Sequence, residues 1–395
     1  MHRDPQAVAA RLADSAARNQ RRQRRVIEAY PRSGDGSQAI VAGKPRRIFC
    51  SNDYLGLAHH PALASAQALA SAAFGSGSSA AHLISGHSSE HHALEEELAA
   101  YTGRERALLF STGYMANLGV LGAYAARGEV VLEDRLNHAS LIDGARLAGA
   151  RLLRYAHADA GDAAARLAEH GNCTLLATDG LFSMDGDVAP LRDLAAAAAA
   201  QRAWLLVDDA HGLGVLGAGG GGALELAGLD ATAAPLLMGT LGKAFGCFGA
   251  FVAGDQDVIE LLLQQARTYI YTTALPPGVA AAARAALALA QRESWRREHL
   301  RQLIGRFRRG AAALQLPITA STSPIQPLLV GADARAARLG EALFERGFWV
   351  GAIRAPTVPA GAARLRITLS AAHSQADVEA LLEALDREWR REAAP

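Results

Sequence analysis

Two short stretches hold the residue types best suited to chemistry. In AWLLVDDAHGLG (203–214) an apolar run breaks into Asp208, Asp209 and His211, and in TLGKAFG (240–246) a lone lysine, Lys243, follows another apolar run among glycines and small residues. A lysine on an open loop is normally a solubilising charge. One held at a strand end with small neighbours has the access that an amine nucleophile needs to form a Schiff base with a carbonyl. Aspartate and glycine also end strands as ordinary turn formers, so the acidic pair alone leaves both readings open.

Pyridoxal phosphate chemistry would use such a lysine, and it asks for further parts: a carboxylate for the pyridinium nitrogen, phosphate donors at a helix N-terminus and a ring over the cofactor face. The chain has each of them. Asp208 can hold the ring nitrogen protonated, and His211, three residues on, can reach the phenolic oxygen. FSTGYMAN (110–117) reads as strand, tight turn and helix start, with backbone donors at Gly113 and Tyr114 for a phosphate. Ser183 in FSMDGD and Thr240, three before the lysine, add hydroxyls, and His138 in LNHASL can stack on the ring. Asp209 takes a structural role at the turn. A Ser/His/Asp hydrolase would lack its G-x-S-x-G elbow and would leave TLGKAFG unexplained. His59, His60, His82, His87, His91 and His92 fall in loops and a helix start without a closing ligand set, which predicts cap and cofactor-loop roles and no metal site.

These residues need a frame. The runs RALLFS (106–111), EVVLED (129–134), CTLLATD (173–179), AWLLVDD (203–209), PLLMGT (235–240) and GAFVAG (249–254) alternate with helical stretches. Strands interleaved with helices predict an α/β domain, its mostly parallel sheet covered on both faces. Ligands of such sheets sit beyond the carboxyl ends of the strands, where Ser111, Asp134, Asp179, Asp208 and Thr240 fall. A long Ala/Leu/Arg helical region then runs to about Leu314, followed by short strands near 326–330, 348–353 and 364–369 and a final helix, a smaller α+β domain. Residues 5–30 read as a helix stopped by Pro31, with RRQRR (21–25) on its solvated face. LAAAAAAQR (194–202) reads as helix and GAGGGGA (217–223) as a surface loop. The expected division is an N-terminal helical segment over 1–48, a large domain over 49–285 and a small one over 286–395.

Composition narrows the partners. The 40 Lys and Arg nearly cancel the 39 Asp and Glu, so no global field favours nucleic acid or an anionic membrane. Cys50, Cys173 and Cys247 lie far apart with no C-x-x-C spacing, which argues for reduced thiols and against a disulfide framework or structural zinc. The N-terminus lacks the apolar core of a secretory signal, and no segment approaches the roughly 20 apolar residues of a membrane span. A cytoplasmic enzyme with small-molecule substrates is the expectation.

With these motifs in view, the chain resembles the α-oxoamine synthases, fold-type I pyridoxal phosphate enzymes that condense an amino acid with an acyl-CoA and release carbon dioxide. The resemblance runs through CSNDYLGLAHHP (50–61), GSGSSAAHLISGH (75–87), HHALEEELA (91–99), RLNHASLIDGARL (135–147), FSMDGDVAPL (182–191), VDDAHGLGVLG (207–217), TLGKAFG and IYTTALPP (270–277). It implies a seven-stranded, mostly parallel sheet and a homodimer whose active site is shared. SPIQPLLVG (323–331) and IRAPTVPAGAARLRITLSAAH (353–373) direct it to the member that joins L-alanine to a pimeloyl thioester for biotin, ahead of the glycine-specific members.

By motif position, the resemblance implies Lys243 as the lysine that carries the cofactor, Asp208 as pyridinium partner, His211 as the O3′ contact and His138 as the stacking ring. Gly113, Tyr114, Ser183 and Thr240 would bind cofactor, with Thr272 or Thr273 of a second subunit helping at the phosphate. Arg366 would hold the amino-acid carboxylate, Thr357 and Asn52 would contact substrate, and Arg22, opening an R-x-R-R pattern, would meet the acyl-CoA side. Three positions depart from the family pattern: Leu213 where threonine is usual, Asp179 where glutamate is common, and Ala80 with Ala81 where relatives carry an arginine.

Overall fold

The computed structural model describes residues 4–18, 20–31, 34 and 36–393. Its strands are β1 (Gln38–Val41), β2 (Lys44–Phe49), β3 (Arg106–Phe110), β4 (Val130–Asp134), β5 (Arg151–Tyr155), β6 (Cys173–Asp179), β7 (Trp204–Asp208), β8 (Leu236–Thr240), β9 (Ala250–Gly254), β10 (Ile325–Gly331), β11 (Phe348–Ile353) and β12 (Ala363–Thr368). They fall into two compact units. One takes the chain up to Gly56, residues 184–186 and everything from Glu298 on; the other takes Leu57–Ser183 and Asp187–Arg297.

The larger unit is an α/β layer structure around a seven-stranded sheet in the order β3-β9-β8-β7-β6-β4-β5. Neighbours from β8 to β5 pair in parallel, and β9 alone runs against both of its neighbours. Helices cover the sheet, so β4, β6 and β8 are buried almost throughout and read as unbroken apolar runs, as covered parallel strands do. The six runs read from sequence are all strands. The seventh, β5, escaped because RLLRY is an edge strand whose exposed arginines break the apolar run. Register sets Asp179 of β6 directly beside Asp208 of β7, both at the carboxyl ends where a ligand is expected.

The smaller unit holds a mixed sheet, β1-β2-β11-β12-β10. β2 pairs in parallel with β11, Arg47 opposite Phe348 and Phe49 opposite Val350. The N-terminal part, expected to stand as a segment of its own over 1–48, therefore belongs to the same unit as the C-terminal residues. The helix expected over 5–30 is shorter: it spans Pro5–Ala17, capped by the Asp4 carboxylate, which accepts from the Gln6 N–H at 2.9 Å. RRQRR is not a helix face. Its Arg25 stacks on the Phe344 ring, 3.5 Å from the centroid, and pairs with Glu341, so this arginine is used as a packing group on chain outside any helix or strand. Ala29 bridges to Ile40 of β1. Among the described residues no helix is long and apolar enough to cross a membrane.

Candidate active site

Within the larger unit, the ends of β6, β7 and β8 border a pocket of about 170 Å³ lined by Gly113, Tyr114, His138, Ser140, Asp179, Asp208, Ala210, His211, Met238, Thr240 and Lys243. A wider groove of about 670 Å³ on the same unit is half lined by alanine, and its Arg284 is already paired with Glu90 and Glu97. The smaller pocket is where reactive groups converge.

Asp208 is its fixed point. The carboxyl is 5 % exposed, with Oδ2 accepting from Asn117 Nδ2 at 2.7 Å and Oδ1 from the Ala210 N–H at 3.1 Å. Asn117 sits one turn into the helix Gly113–Tyr124 and also donates to Ser140 Oγ at 2.8 Å. Ser140 in turn meets His138 Nδ1 at 2.7 Å, and its N–H donates to the same atom at 3.3 Å, so the His138 ring is held by the start of the helix Ala139–Ala148. Burial lowers the His138 pKa, and the Lys243 charge lowers it further against the opposing pull of Asp208. Asp179 accepts the His138 N–H at 3.1 Å, and burial together with the Asp208 charge pushes its carboxyl well above the usual range.

The other wall is a helix N-terminus. Thr112 caps the helix Gly113–Tyr124 by accepting the Met115 N–H at 3.2 Å, which leaves the first N–H groups of the helix directed outward, as an anion site requires. Lys243 lies in the loop after β8. Thr240 Oγ1 donates to the Gly249 carbonyl at 3.0 Å and accepts the Gly242 N–H at 3.2 Å, so this hydroxyl shapes the lysine's own loop as well as lining the pocket. Gly246, at φ +64°, is needed there: a Cβ would stand 2.3 Å from the Ala58 nitrogen.

This geometry coincides with clear relatives. The aminotransferase class I and II family pattern matches residues 48–385. The chain belongs to this family. Proteins named 8-amino-7-oxononanoate synthase from Methylococcus capsulatus and Cellvibrio japonicus are 58 % and 56 % identical to it, over 95 % and 96 % of this chain and 97 % and 95 % of theirs. A serine palmitoyltransferase variant from S. paucimobilis, solved with a bound PLP–myriocin aldimine, superposes with a TM-score of 0.92 at 29 % identity, covering 98 % of this chain and 99 % of that one. The 8-amino-7-oxononanoate synthase of Francisella tularensis superposes at 0.77 with 31 % identity, covering 88 % and 99 %.

Set against the family reading, the pocket brings together Lys243, Asp208, His211, His138, Thr240, Gly113 and Tyr114. Ser183, in the turn after β6, and Thr272 and Thr273, after the helix Arg267–Ile270, do not line it. The remaining candidates lie in the smaller unit as two contacting pairs. Arg366 of β12 is buried and donates through Nη1 to Asn52 Oδ1 and Thr368 Oγ1, each at 3.2 Å. Arg22 Nη2 reaches Thr357 Oγ1 at 3.5 Å.

Sequence reasoning missed Asn117 and Ser140, although the i+4 spacing of Asn117 from Gly113 puts both on one helix face. It also read GAGGGGA as a surface loop, yet Gly220 and Gly222 are buried. Asp209 is the reason. Wholly buried, it accepts the Ala223 N–H at 2.7 Å through Oδ2, and burial pushes its carboxyl up to about 8. Leu213, in place of the usual threonine, is buried too, filling the space over Gly239, where a Cβ would lie 2.4 Å from its Cδ1.

Proposed function

We propose that the chain condenses L-alanine with a pimeloyl thioester, releasing carbon dioxide and the thiol carrier and yielding 8-amino-7-oxononanoate for biotin synthesis. The observation that carries this reading is the 56–58 % identity, over nearly the whole of both chains, to relatives of that name. Pyridoxal phosphate is the cofactor, and the pocket suits it. A buried carboxylate held by two donors, a lysine on a glycine-rich loop, a positioned imidazole and an open helix N-terminus are the partners that the pyridine nitrogen, the aldehyde, the ring face and the phosphate need. Lys243, Asp208, His138 and the N–H groups at Gly113 and Tyr114 would hold it in that order, with His211 at its phenolic oxygen.

When bound, this cofactor supplies an electron sink for negative charge at the amino-acid Cα. Every other task falls to the protein. Asp208, kept in place by Asn117, holds the proton on the ring nitrogen, and the Lys243 amine takes the Cα proton of alanine. His138, with its pKa lowered, braces the ring and supports the thioester carbonyl as it is attacked. Arg366, its guanidinium fixed by Asn52 and Thr368, receives the alanine carboxylate, while Arg22 and Thr357 meet the acyl side. Thr272 or Thr273 reaches the phosphate of a second copy in a homodimer. Three cysteines without disulfide bonds suit a cytoplasmic setting.

Purified protein mixed with alanine and pimeloyl-CoA should release carbon dioxide and form an amino-oxo acid. Preference for glycine with acetyl- or succinyl-CoA would overturn the assignment in favour of a glycine-specific relative.

A further inference from the structure

Outside the Lys243 pocket, the helix Ser89–Thr102 and the turn before it gather His82, His87, His91, His92 and Glu95. Two sets of three bring their ligand atoms within 4.8 Å of one another: His82, His87 and His91, and His87, His92 and Glu95. The spacing of the histidines alone offered no closing ligand. Glu95 supplies it, three residues beyond His92 and hence on the same helix face.

Chemistry separates the two sets. His91 is spent on structure: Nδ1 accepts the Ser88 N–H at 3.0 Å as part of the helix cap, and Nε2 lies 2.6 Å from the Leu275 carbonyl, to which it donates. A metal at either ring nitrogen of His91 would undo one of these contacts, whereas Glu95, whose Oε1 accepts the Leu109 N–H at 2.9 Å, has a second carboxylate oxygen to offer. His87 and His92 are exposed, their rings edge-on with centroids 5.8 Å apart, and with Glu95 they border a pocket of about 290 Å³. His82 serves as an outer partner. Buried and stacked on Tyr269 at 5.0 Å, it places Nδ1 2.9 Å from His87 Nδ1, which fixes the His87 ring as the outer groups of metal-bound histidines do.

We infer that His87, His92 and Glu95 form a binding site for a divalent transition-metal ion of the zinc class. Two imidazoles and one carboxylate with an open fourth position are a borderline nitrogen and oxygen set, which suits zinc and disfavours calcium or magnesium. Glu96, with Oε1 3.5 Å from His92 Nε2, is within reach as the fourth ligand. A tetrahedral site with zinc bonds of about 2.0–2.1 Å has edges of about 3.3 Å, so ligand atoms that lie within 4.8 Å of one another must draw in by up to about 1.5 Å. His92 is exposed and can turn to do so. Burial pushes the Glu95 carboxyl up to about 7, and a dication beside it would return the group to its charged form.

Bound metal would tie the turn around His87 to the helix Ser89–Thr102. The test uses chelator-treated protein loaded with its cofactor and titrated calorimetrically with zinc chloride. One equivalent should bind per chain at micromolar concentration, and zinc should raise Tm. The His92→Gln, Glu95→Gln double variant should bind roughly tenfold more weakly or worse, lose the Tm rise, and keep its metal-free turnover. Zinc that binds the double variant as tightly as the parent, or that binds neither, overturns the proposal. Should the double variant melt early without metal, the milder His92→Asn single variant decides by the same comparison.

Discussion

Asn117 touches no group expected to belong to either substrate, yet it supplies one of two hydrogen bonds, at 2.7 Å, to the carboxylate that the cofactor nitrogen needs. Its removal therefore acts through Asp208. A hydrogen bond to a charged group contributes about 1.5–3 kcal/mol, so Asn117→Ala should lower kcat by about 10- to 100-fold and leave the KM for alanine and thioester within about twofold. Steady-state kinetics separate these, since an effect confined to KM would remove Asn117 from this role. Asn117→Asp should be worse than alanine, because it sets a second carboxylate against Asp208. Lys243, Asp208 and His211 were legible in sequence because each stands out chemically where an apolar run stops. Asn117 and Ser140 were not, since an amide and a hydroxyl on helices gain meaning only when folding brings them to Asp208 and His138.

Elements were legible to the extent that both faces of a strand are covered. The central strands of the larger sheet announce themselves as apolar runs, whereas β5 has the exposed arginines of a sheet edge, and β2, although paired on both sides, is hidden by Pro45 and by Arg46, a buried guanidinium that lies over the Phe344 ring. The helix expected up to residue 30 is absent over 20–30 for a reason of its own: Arg25 finds the Phe344 ring and Glu341, a tertiary use that periodicity does not encode. Two predictions belong to the junctions between elements. Gly222 sits at φ +86°, where a Cβ would lie 1.9 Å from Asp209 Oδ2, so Gly222→Ala should cost at least about 2 kcal/mol and lower Tm by about 4–8 °C by calorimetry. His157 joins Asp134 at the end of β4 to Asp187 in the loop after β6, at 3.0 and 2.9 Å. Burial alone would lower its pKa, but hydrogen bonds to both carboxylates raise it from 6.5 to about 10. A raised folded value stabilises fully below the unfolded pKa, so this contribution is present at pH 6 and is lost as pH climbs toward 10. Melting temperatures across that range should fall less steeply in His157→Gln than in the parent, and parallel curves would show that the clamp carries no such linkage.

At the scale of the whole molecule, the shared-site reading makes one chain depend on another. Thr272 and Thr273 do not line the pocket of their own chain, which is the arrangement expected if they serve the phosphate of a second copy. Lys243→Ala removes the nucleophile from its own pocket and leaves the threonines intact, whereas a Thr272→Ala, Thr273→Ala variant does the reverse. Each homodimer then carries the same defect in both sites: the lysine variant should be inactive, and the threonine variant weak through poor cofactor retention. Mixing the two under conditions that exchange subunits creates hybrids in which one site collects both defects and the other collects none. Random reassortment at equal amounts makes half of the dimers hybrid with one intact site each, so turnover should recover to about a quarter of the parent value. A chain that completes its own pocket would show no recovery, because every lysine variant would still lack its amine and every threonine variant its donors. Activity measured before and after subunit exchange, with size-exclusion chromatography to confirm the dimer, distinguishes the two architectures without requiring that either variant be fully inactive.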